Sequence, residues 1–360
     1  MGLHELQLRN FRMFTEFSFR PDLGAVTVLL SPNGTGKTSV LEAVYALATA
    51  SSFRTGSASD MIRVGSTLAE VHGVLFQRDR RIQVDLTLTK GARNTTKRML
   101  VNGQRPHSRA EVAEVLPLTV FTPEGVDIVR HGPENRRTFL TNLMTDVDPR
   151  ASEVVERFNR VLTQRNALLR SIEGSWPTPA QRDELDVWST DLSSVAAELV
   201  ILRRRLLGDL APLAAESYRE LAENEQRVNL DYEQSWRGSL YDELQSCLSE
   251  DRLRGHTTIG PQRDDVAVTL DERDARRQAS QGEQRSIALA LRLAGHRLVQ
   301  QQRGVDPLLL LDDVFSELDP QRAQRLLRLL PVGQTLVTTA SPLPKALVPA
   351  AIVDLRKELN

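Results

Sequence analysis

Cysteine is almost missing from this chain. Cys247 stands alone among 360 residues. No disulfide framework and no thiolate metal site can be built from it, so a reducing compartment is expected. An excess of either charge is missing too. There are 46 Lys and Arg against 47 Asp and Glu, a net charge of −1. Global charge therefore gives no pull toward nucleic acid. A DNA surface would have to be a local patch, such as Arg203-Arg204-Arg205 or Arg78 to Arg81, and the plainer reading of each is a solvated face. No apolar run approaches the roughly 20 residues of a membrane span. The opening "MGLHELQLRNF" lacks a basic-then-apolar layout, so no secretory signal is expected. A soluble cytoplasmic protein is the expectation. Repeats and low-complexity segments are lacking as well.

What is present suffices for a core. Hydrophobic residues make up 40% and charged residues 26%, which is ordinary for a soluble protein. The length suggests two domains, or one large domain with an insertion. Leu6, Leu8 and Phe11 lead in, and "AVTVLL" (25–30) reads as a buried strand. Thr38 to Ala50 reads as a helix, with Val40, Leu41, Val44, Tyr45, Leu47 and Ala48 on one broad face. "RIQVDLTLT" alternates Ile82, Val84, Leu86 and Leu88 with polar residues, a half-buried strand. "MLVNGQRP" carries Asn102-Gly103, a strong hairpin signal. Around it lie Lys90, Arg93, Lys97, Arg98 and Arg105, a basic hairpin region.

From about Glu134 to Cys247 helical periods take over. Val154, Phe158, Val161, Leu168 and Ile172 keep three-and-four spacing, with Arg165 as the one polar member. Leu192, Val195, Leu199, Leu202 and Leu206 do the same. With the turn-like "GSWPTPAQ" (174–181) between them, these segments predict an antiparallel helical hairpin with a short coiled-coil-like seam. After about Gly255 strand candidates return at "VAVTL" (266–270), "LLLL" (308–311), "TLVTT" (335–339) and "AIVDL" (351–355). Their continuous apolar runs suggest a parallel sheet covered on both faces. The expected organisation is one α/β domain, residues 1–125 and 255–360, split by a helical insertion, 126–254.

The chemistry starts at "SPNGTGKTS", Ser31 to Ser39. The pattern G-x-x-x-x-G-K-[ST] cradles phosphates on backbone N–H groups at a helix N-terminus. Gly36, Lys37 and Thr38 fit it, and Gly34 and Gly36 let the backbone come close. Lys37 would reach the β- and γ-phosphates and Thr38 would hold Mg²⁺. Ser31 departs from it, standing where the first Gly belongs, and serine disfavours φ > 0. Such an engine also needs an acidic residue at the end of a neighbouring apolar strand. "PLLLLDDVFSELD" supplies Asp312 for the metal side and Asp313 to polarise the attacking water. The third piece is "ASQGEQRSIALALRLAG" (279–295). Ser280 and Glu283 form a capping box before an apolar helix. The same helix start could offer Ser280, Gln281, Gly282, Glu283 and Gln284 to a γ-phosphate.

The order of these pieces resembles an ABC-type ATPase: P-loop, signature Ser-x-Gly-x-Gln, acidic strand end, then "SELD" (316–319) as the D-loop, with Asp319. The stretch from Lys37 to Ser280 is too long for a transporter ATPase and much too short for the long coiled-coil chromosome proteins. Motifs spread over nearly the whole chain instead resemble the RecF family of bacterial recombination mediators. They include "LRNFRMF", "GKTSVLEAVYALATASSFRT", "FTPEGVDIVRHGPENRRTFL", "TTIGPQRDDVAVTL", "ASQGEQRS" and "LDDVFSELD". The resemblance implies a mixed α/β ABC/SMC-like ATPase head interrupted by a helical second lobe. It implies ATP and Mg²⁺, an ATP-dependent homodimer, and binding to double-stranded and gapped DNA. It also implies work with RecO and RecR in loading the recombinase, at the nucleoid and without a membrane.

By position, the resemblance assigns Ser31, Pro32, Asn33, Gly34, Thr35, Gly36, Lys37, Thr38 and Ser39 to the phosphate loop. It assigns Arg12 to the nucleotide and Glu124 to the place of a Q-loop residue near the metal. Asp313, Lys37 and Glu124 are the expected catalytic groups. Lys90, Arg93, Lys97, Arg98, Arg136 and Arg137 are expected to face DNA, although the last two could merely decorate a helix start. Gln262 stands where the family shows His, and Thr338-Thr339-Ala340 carries no switch histidine. Two other readings stay open. One is a nucleotide- and DNA-binding module with little hydrolysis because of Ser31. The other is a transporter ATPase, which the insertion and the basic hairpin disfavour. No Asn-Lys-x-Asp motif supports a GTPase.

Overall fold

The computed structural model describes residues 2–358, apart from 78–79, 93, 173–176, 331–332, 341–343 and 345–346, and leaves out the side chains of 109–110, 123–124, 317 and 357–358. The chain runs β1 (Gly2–Phe11), β2 (Phe14–Phe19), β3 (Val26–Leu30), α1 (Lys37–Thr49), β4 (Leu68–Gln77), β5 (Arg80–Lys90), β6 (Thr95–Val101), α2 (Arg109–Val115) and β7 (Leu118–Phe121). It continues through α3 (Asp127–Arg130), α4 (Pro133–Val147), α5 (Ala151–Ser171), α6 (Pro179–Ala222), β8 (Val228–Glu233), α7 (Leu240–Ser246), α8 (Leu248–Arg254), β9 (Asp265–Leu270) and β10 (Arg273–Asp274). It ends with α9 (Ala275–Gln278), α10 (Gln281–Arg303), β11 (Leu308–Asp312), α11 (Pro320–Leu329), β12 (Thr335–Thr339), β13 (Ala351–Asp354) and α12 (Leu355–Glu358).

The apolar runs explain the central layer. Strands β13-β3-β12-β11-β7 pair in parallel in that order. Side chains alternate across a strand, so each run serves two cores. Leu308 and Leu310 of β11 join one core, with Leu29, Leu118 and Leu336. Leu309 and Leu311 join the other, with Val28, Phe121 and Val337. The first core lies under α1 and an antiparallel sheet, β2-β1-β4-β5-β6. Gly73 on β4 lets the two approach: a Cβ there would come within 2.5 Å of Leu47 on α1. The second core holds α4, α5, α6 and α10.

The expected strands at 308–311, 335–339 and 351–355 belong to the parallel sheet, and 82–88 is antiparallel as its alternation requires. "VAVTL" is a correction. It is β9, in a separate antiparallel sheet, β10-β9-β8, with only Val266 and Leu270 buried. Two buried residues four apart satisfy one covered face, so no second covering layer is needed. This sheet also pairs across the boundary expected at 254, because β8 lies before it and β9 after. Asn102 and Gly103, both at positive φ, turn β6 back so that Val101 bridges Gln104.

The helical hairpin is α5 against α6, which runs 44 residues through Pro212 to Ala222. Arg165, the polar position of the seam, is fully buried. Its Nη1 donates to Asp251 Oδ2 and to Thr257 Oγ1, both at 2.7 Å, and its Nε donates to Ser189. Asp251 Oδ1 accepts from the amide and the hydroxyl of Thr258. One cation thus ties α5, α6, α8 and the chain that leads to β9. Breaking such a buried pair on one side costs about 3–5 kcal/mol, because the surviving charge stays out of water. Arg165→Met is therefore expected to lower the thermal midpoint sharply, while Arg254→Met, at an exposed ion pair, leaves it nearly unchanged. Calorimetric unfolding of the two variants checks this, and equal midpoints would refute it.

Candidate nucleotide site

The site follows from the parallel sheet, whose strands all end on one side. Asp312 pairs with Thr338 in register, and Thr338 with Leu29. The ends of β3, β12 and β11 therefore line one edge. Crevices beyond the carboxyl ends of such strands are the usual ligand sites of α/β folds. An open cleft of about 820 Å³ lies there, lined by residues that include Asn33, Gly34, Gly36, Lys37, Thr38, Ser39, Asp312 and Asp313.

The loop leaves β3 and enters α1 with Gly34 at φ +82° and Gly36 at φ +92°. Gly36 is doubly constrained, since a Cβ would fall 2.6 Å from the Phe14 ring. Lys37 Nζ donates to the carbonyls of Ser31 at 2.5 Å and Pro32 at 2.8 Å. Burial pulls its ammonium below the ordinary lysine value, while Asp313 and Asp312 push the other way. Thr35 Oγ1 donates to the Pro32 carbonyl. Ser31 settles into a different role from the one feared. Its φ is not in the left-handed region. Its amide donates to the Thr339 carbonyl, extending the sheet, and its hydroxyl donates to Asp354. The glycine requirement at this position does not arise in this loop.

Thr38 and Asp312 meet as expected. Thr38 Oγ1 donates to Asp312 Oδ1 at 2.8 Å, and Thr338 Oγ1 donates to the same oxygen at 2.6 Å. Asp313 turns away at φ +47°, held by its amide on the Thr338 carbonyl and hydroxyl. Its buried Oδ1 has no partner. A hydroxyl, one carboxylate beside it and an orphaned second carboxylate suit a small divalent cation, because Mg²⁺ is commonly held by one or two carboxylates plus substrate phosphates.

Arg12 lines the cleft, but its guanidinium is also engaged. Nε and Nη2 pair with Glu42 at 2.7 and 2.5 Å. Glu42 is wholly buried on α1 and accepts also from Ser52 at 2.5 Å and Arg54 at 3.4 Å. Sequence reasoning missed this cluster, and Arg54 with it. The signal available was Glu42 itself, an acid on the buried face of an amphipathic helix. Thr338 was missed as well. It read as strand, and only the register places its hydroxyl on Asp312.

The signature lies elsewhere. Ser280 caps α10 and Glu283 caps it in return. The helix-start amide and hydroxyl of Ser280 hold the Glu283 carboxyl below its ordinary value. Asp319 caps α11 and binds Arg322 at 3.1 Å, while a Cβ on Gly282 would come 3.0 Å from the same guanidinium. Arg322 thereby joins signature and D-loop on one surface. None of Ser280 to Glu283, nor Asp319, lines the P-loop cleft. Gln284 is buried and holds Arg130 at 2.9 Å.

Lys90, Lys97 and Arg98 are exposed on β5 and β6. Arg93 and the Glu124 side chain lie outside the described residues. Arg136 is a correction: it is buried, pairs through Nε and Nη2 with Asp265 at 2.7 and 2.8 Å, and donates to the Ile128 and His131 carbonyls. A guanidinium so engaged is not presented to DNA. Arg137 is half-buried, donates to the Asp264 carbonyl, and is lowered by desolvation. Gln262 sits in the turn before β9, donating to the Ile259 carbonyl, and does not line the cleft.

With this geometry in place the relatives can be compared. Residues 2–342 match the family described as the RecF/RecN/SMC N terminal domain. A DNA replication and repair protein RecF of Acidothermus cellulolyticus is 34% identical over 95% of this chain and 94% of its own. The RecF protein of Streptomyces avermitilis is 36% identical over the same shares. The chain belongs to the RecF family. A solved structure of the recombination mediator RecF with ATP superposes with a TM-score of 0.87, at 25% identity over 97% of this chain and 94% of that one. An SMC head bound to the C-winged helix domain of ScpA shares the fold, with a TM-score of 0.54 at 16% identity over 95% and 90%. The expected ABC/SMC-type head is thus the fold of this RecF chain. No described helix is long and apolar enough to cross a membrane.

Because Ser31 is not at positive φ, Ser31→Gly is expected to leave nucleotide affinity and turnover within about twofold. It should lower stability by roughly 0.5–1 kcal/mol through backbone entropy. Nucleotide titration and urea unfolding check both; a large gain in turnover would show that Ser31 impairs the loop.

Proposed function

We propose that this RecF chain is an ATP-dependent DNA-binding protein of recombinational repair and replication restart, with slow ATP hydrolysis coupled to dimerisation. The observation that carries the reading is the Thr38–Asp312 contact. It places the phosphate loop and the acidic strand end at one cleft, while the signature stands on another exposed surface. A signature outside its own cleft suits a composite site in which Ser280 to Glu283 and Asp319 of one subunit close on the loop of a second. Relatives described as RecF with ATP, within the RecFOR pathway, support the same reading.

The residues divide the work. Amides of Asn33 to Ser39 and the Lys37 ammonium bind the polyphosphate at the start of α1, where the helix dipole favours anions. Thr38 and Asp312 would hold Mg²⁺, which would supply positive charge to offset that of the phosphates. Asp313, with its free buried oxygen, orients the attacking water and takes its proton. Arg12, anchored on Glu42, adds positive charge at the cleft rim. Glu124 remains the proposed Q-loop counterpart. The closed dimer clamps duplex DNA near single-strand gaps and opens after hydrolysis, at the nucleoid, with RecO and RecR as partners in loading the recombinase. Lys90, Arg93, Lys97 and Arg98 are the proposed phosphate contacts. The alternative, a module with little hydrolysis, rested on Ser31, and the loop's ordinary backbone there weighs against it.

Light scattering with and without ATP and Mg²⁺ should show a doubled mass with nucleotide, lost in Lys37→Arg and Ser280→Arg. An unchanged mass would sink the clamp. Asp313→Asn should stay dimeric on ATP while turnover falls about 10²–10⁴-fold, the usual worth of a positioned base. Undiminished turnover would remove Asp313 from that role. Duplex DNA affinity should drop steeply with salt and vary little with sequence, as phosphate contacts require. A salt-independent, sequence-specific signal would contradict it.

A further inference from the structure

A second cavity lies away from the P-loop cleft. It holds about 230 Å³ and sits where the C-terminal end of α1, helix α2, helix α4, the start of α5 and the middle of α10 converge. Its walls are largely apolar, with Ala48, Val112, Leu116, Phe139 and Val155 among them. Arg292, from α10, and Asp146, from α4, are charged groups in that wall.

Neither is satisfied among the described residues. The Arg292 guanidinium stands 5.3 Å from the centre of the Phe139 ring, and its buried Nε has no hydrogen-bond partner. Among the described residues it forms no ion pair, although its field and that of Asp146 reach each other. Burial pulls it below the ordinary arginine value. Asp146 uses its backbone carbonyl, which accepts from Arg303, but its carboxyl carries no hydrogen bond among the described residues. Removal from water pushes that carboxyl up to about 7, against the pull of Arg303 and Arg292. Arg303 is occupied by the carbonyls of Ala113 and Glu114. Glu156, at the wall, is engaged within the chain.

A buried donor without an acceptor costs about 1–3 kcal/mol, and more when it is charged. Pockets that bind small molecules pair apolar walls with a few convergent polar groups, as here. We infer that this cavity binds a small organic anion, an apolar body with one carboxylate, whose oxygens accept from Arg292. The sign follows from the geometry of the wall: the buried Arg292 Nε is a charged donor with no acceptor among the described residues, and a carboxylate would supply one. The cavity touches α1 and α10, the helices that begin at the phosphate loop and at Ser280. An occupant would therefore bear on α1 at its far end and on α10 at its middle.

Binding here needs neither nucleotide nor a second subunit, so its test stands apart from that of the ATPase. Phenylacetate, its neutral amide phenylacetamide and the cation phenethylamine are titrated into the full chain by ligand-observed NMR. Phenylacetate should bind in the range of about 0.1–1 mM, as fits so small a ligand, and at least tenfold tighter than the other two. Arg292→Met should weaken it tenfold or more. Ala113→Leu, which fills the cavity while leaving both charged groups, should abolish binding with the fold intact by circular dichroism. Absence of phenylacetate binding to the wild type, equal binding of the cation, or undiminished binding to Ala113→Leu would each overturn the assignment.

Discussion

Two hydroxyls converge on one carboxylate oxygen, and the nucleotide site hangs on that arrangement. Thr38 reaches Asp312 from the first turn of α1, and Thr338 reaches it from the neighbouring strand. Each donor comes from a different connection, and neither is close to Asp312 in sequence. The contact exists only because β3, β12 and β11 run parallel and in register, so that their ends coincide. That register in turn rests on the two cores that claim alternate leucines of β11. A one-residue slip would exchange the cores and move Asp312 off the edge.

Chemistry sits at the rim because the rest of the sheet is sealed. Lys37 shows the consequence. Burial holds it below its ordinary value, while Asp313 and Asp312 push the other way. The same logic explains Asp313. A left-handed backbone at a non-glycine residue is strained, and here two hydrogen bonds to Thr338 maintain it while the side chain keeps one oxygen uncommitted.

Much of this was legible in the amino-acid sequence. Period two along Ile82 to Leu88, the continuous runs at 308–311 and 335–339, and the Ser280 capping box all depend on local geometry, so reading them needed no tertiary knowledge. The phosphate loop and the Asp312 strand end were equally local. What escaped was decided by distant partners. Arg136 read as a DNA-facing arginine, or one decorating a helix start, until Asp265, far along the chain, claimed it. Ser31 looked like a defect because the pattern prescribes glycine, yet the pattern carries no φ value. Arg165 looked like a lapse in a hydrophobic seam, and the structure makes it the tie of the helical lobe. "VAVTL" looked doubly covered because a short apolar run does not say how many of its faces are used.

The pairing of β8 with β9 carries an architectural consequence. The helical half is not a cassette plugged in between residues 126 and 254. Excising it at those borders would strip β9 of its neighbour and remove Arg203, which donates to the Pro261 carbonyl. Helix α10 shares one core with α6 and with the parallel sheet, so the Ser280 turn is coupled to the long hairpin as well as to the sheet that leads to Lys37. The outer end of the hairpin and the Ser280 turn are thus joined through the packing of α6 on α10, with the seam around Arg165 as the rivet of the far end.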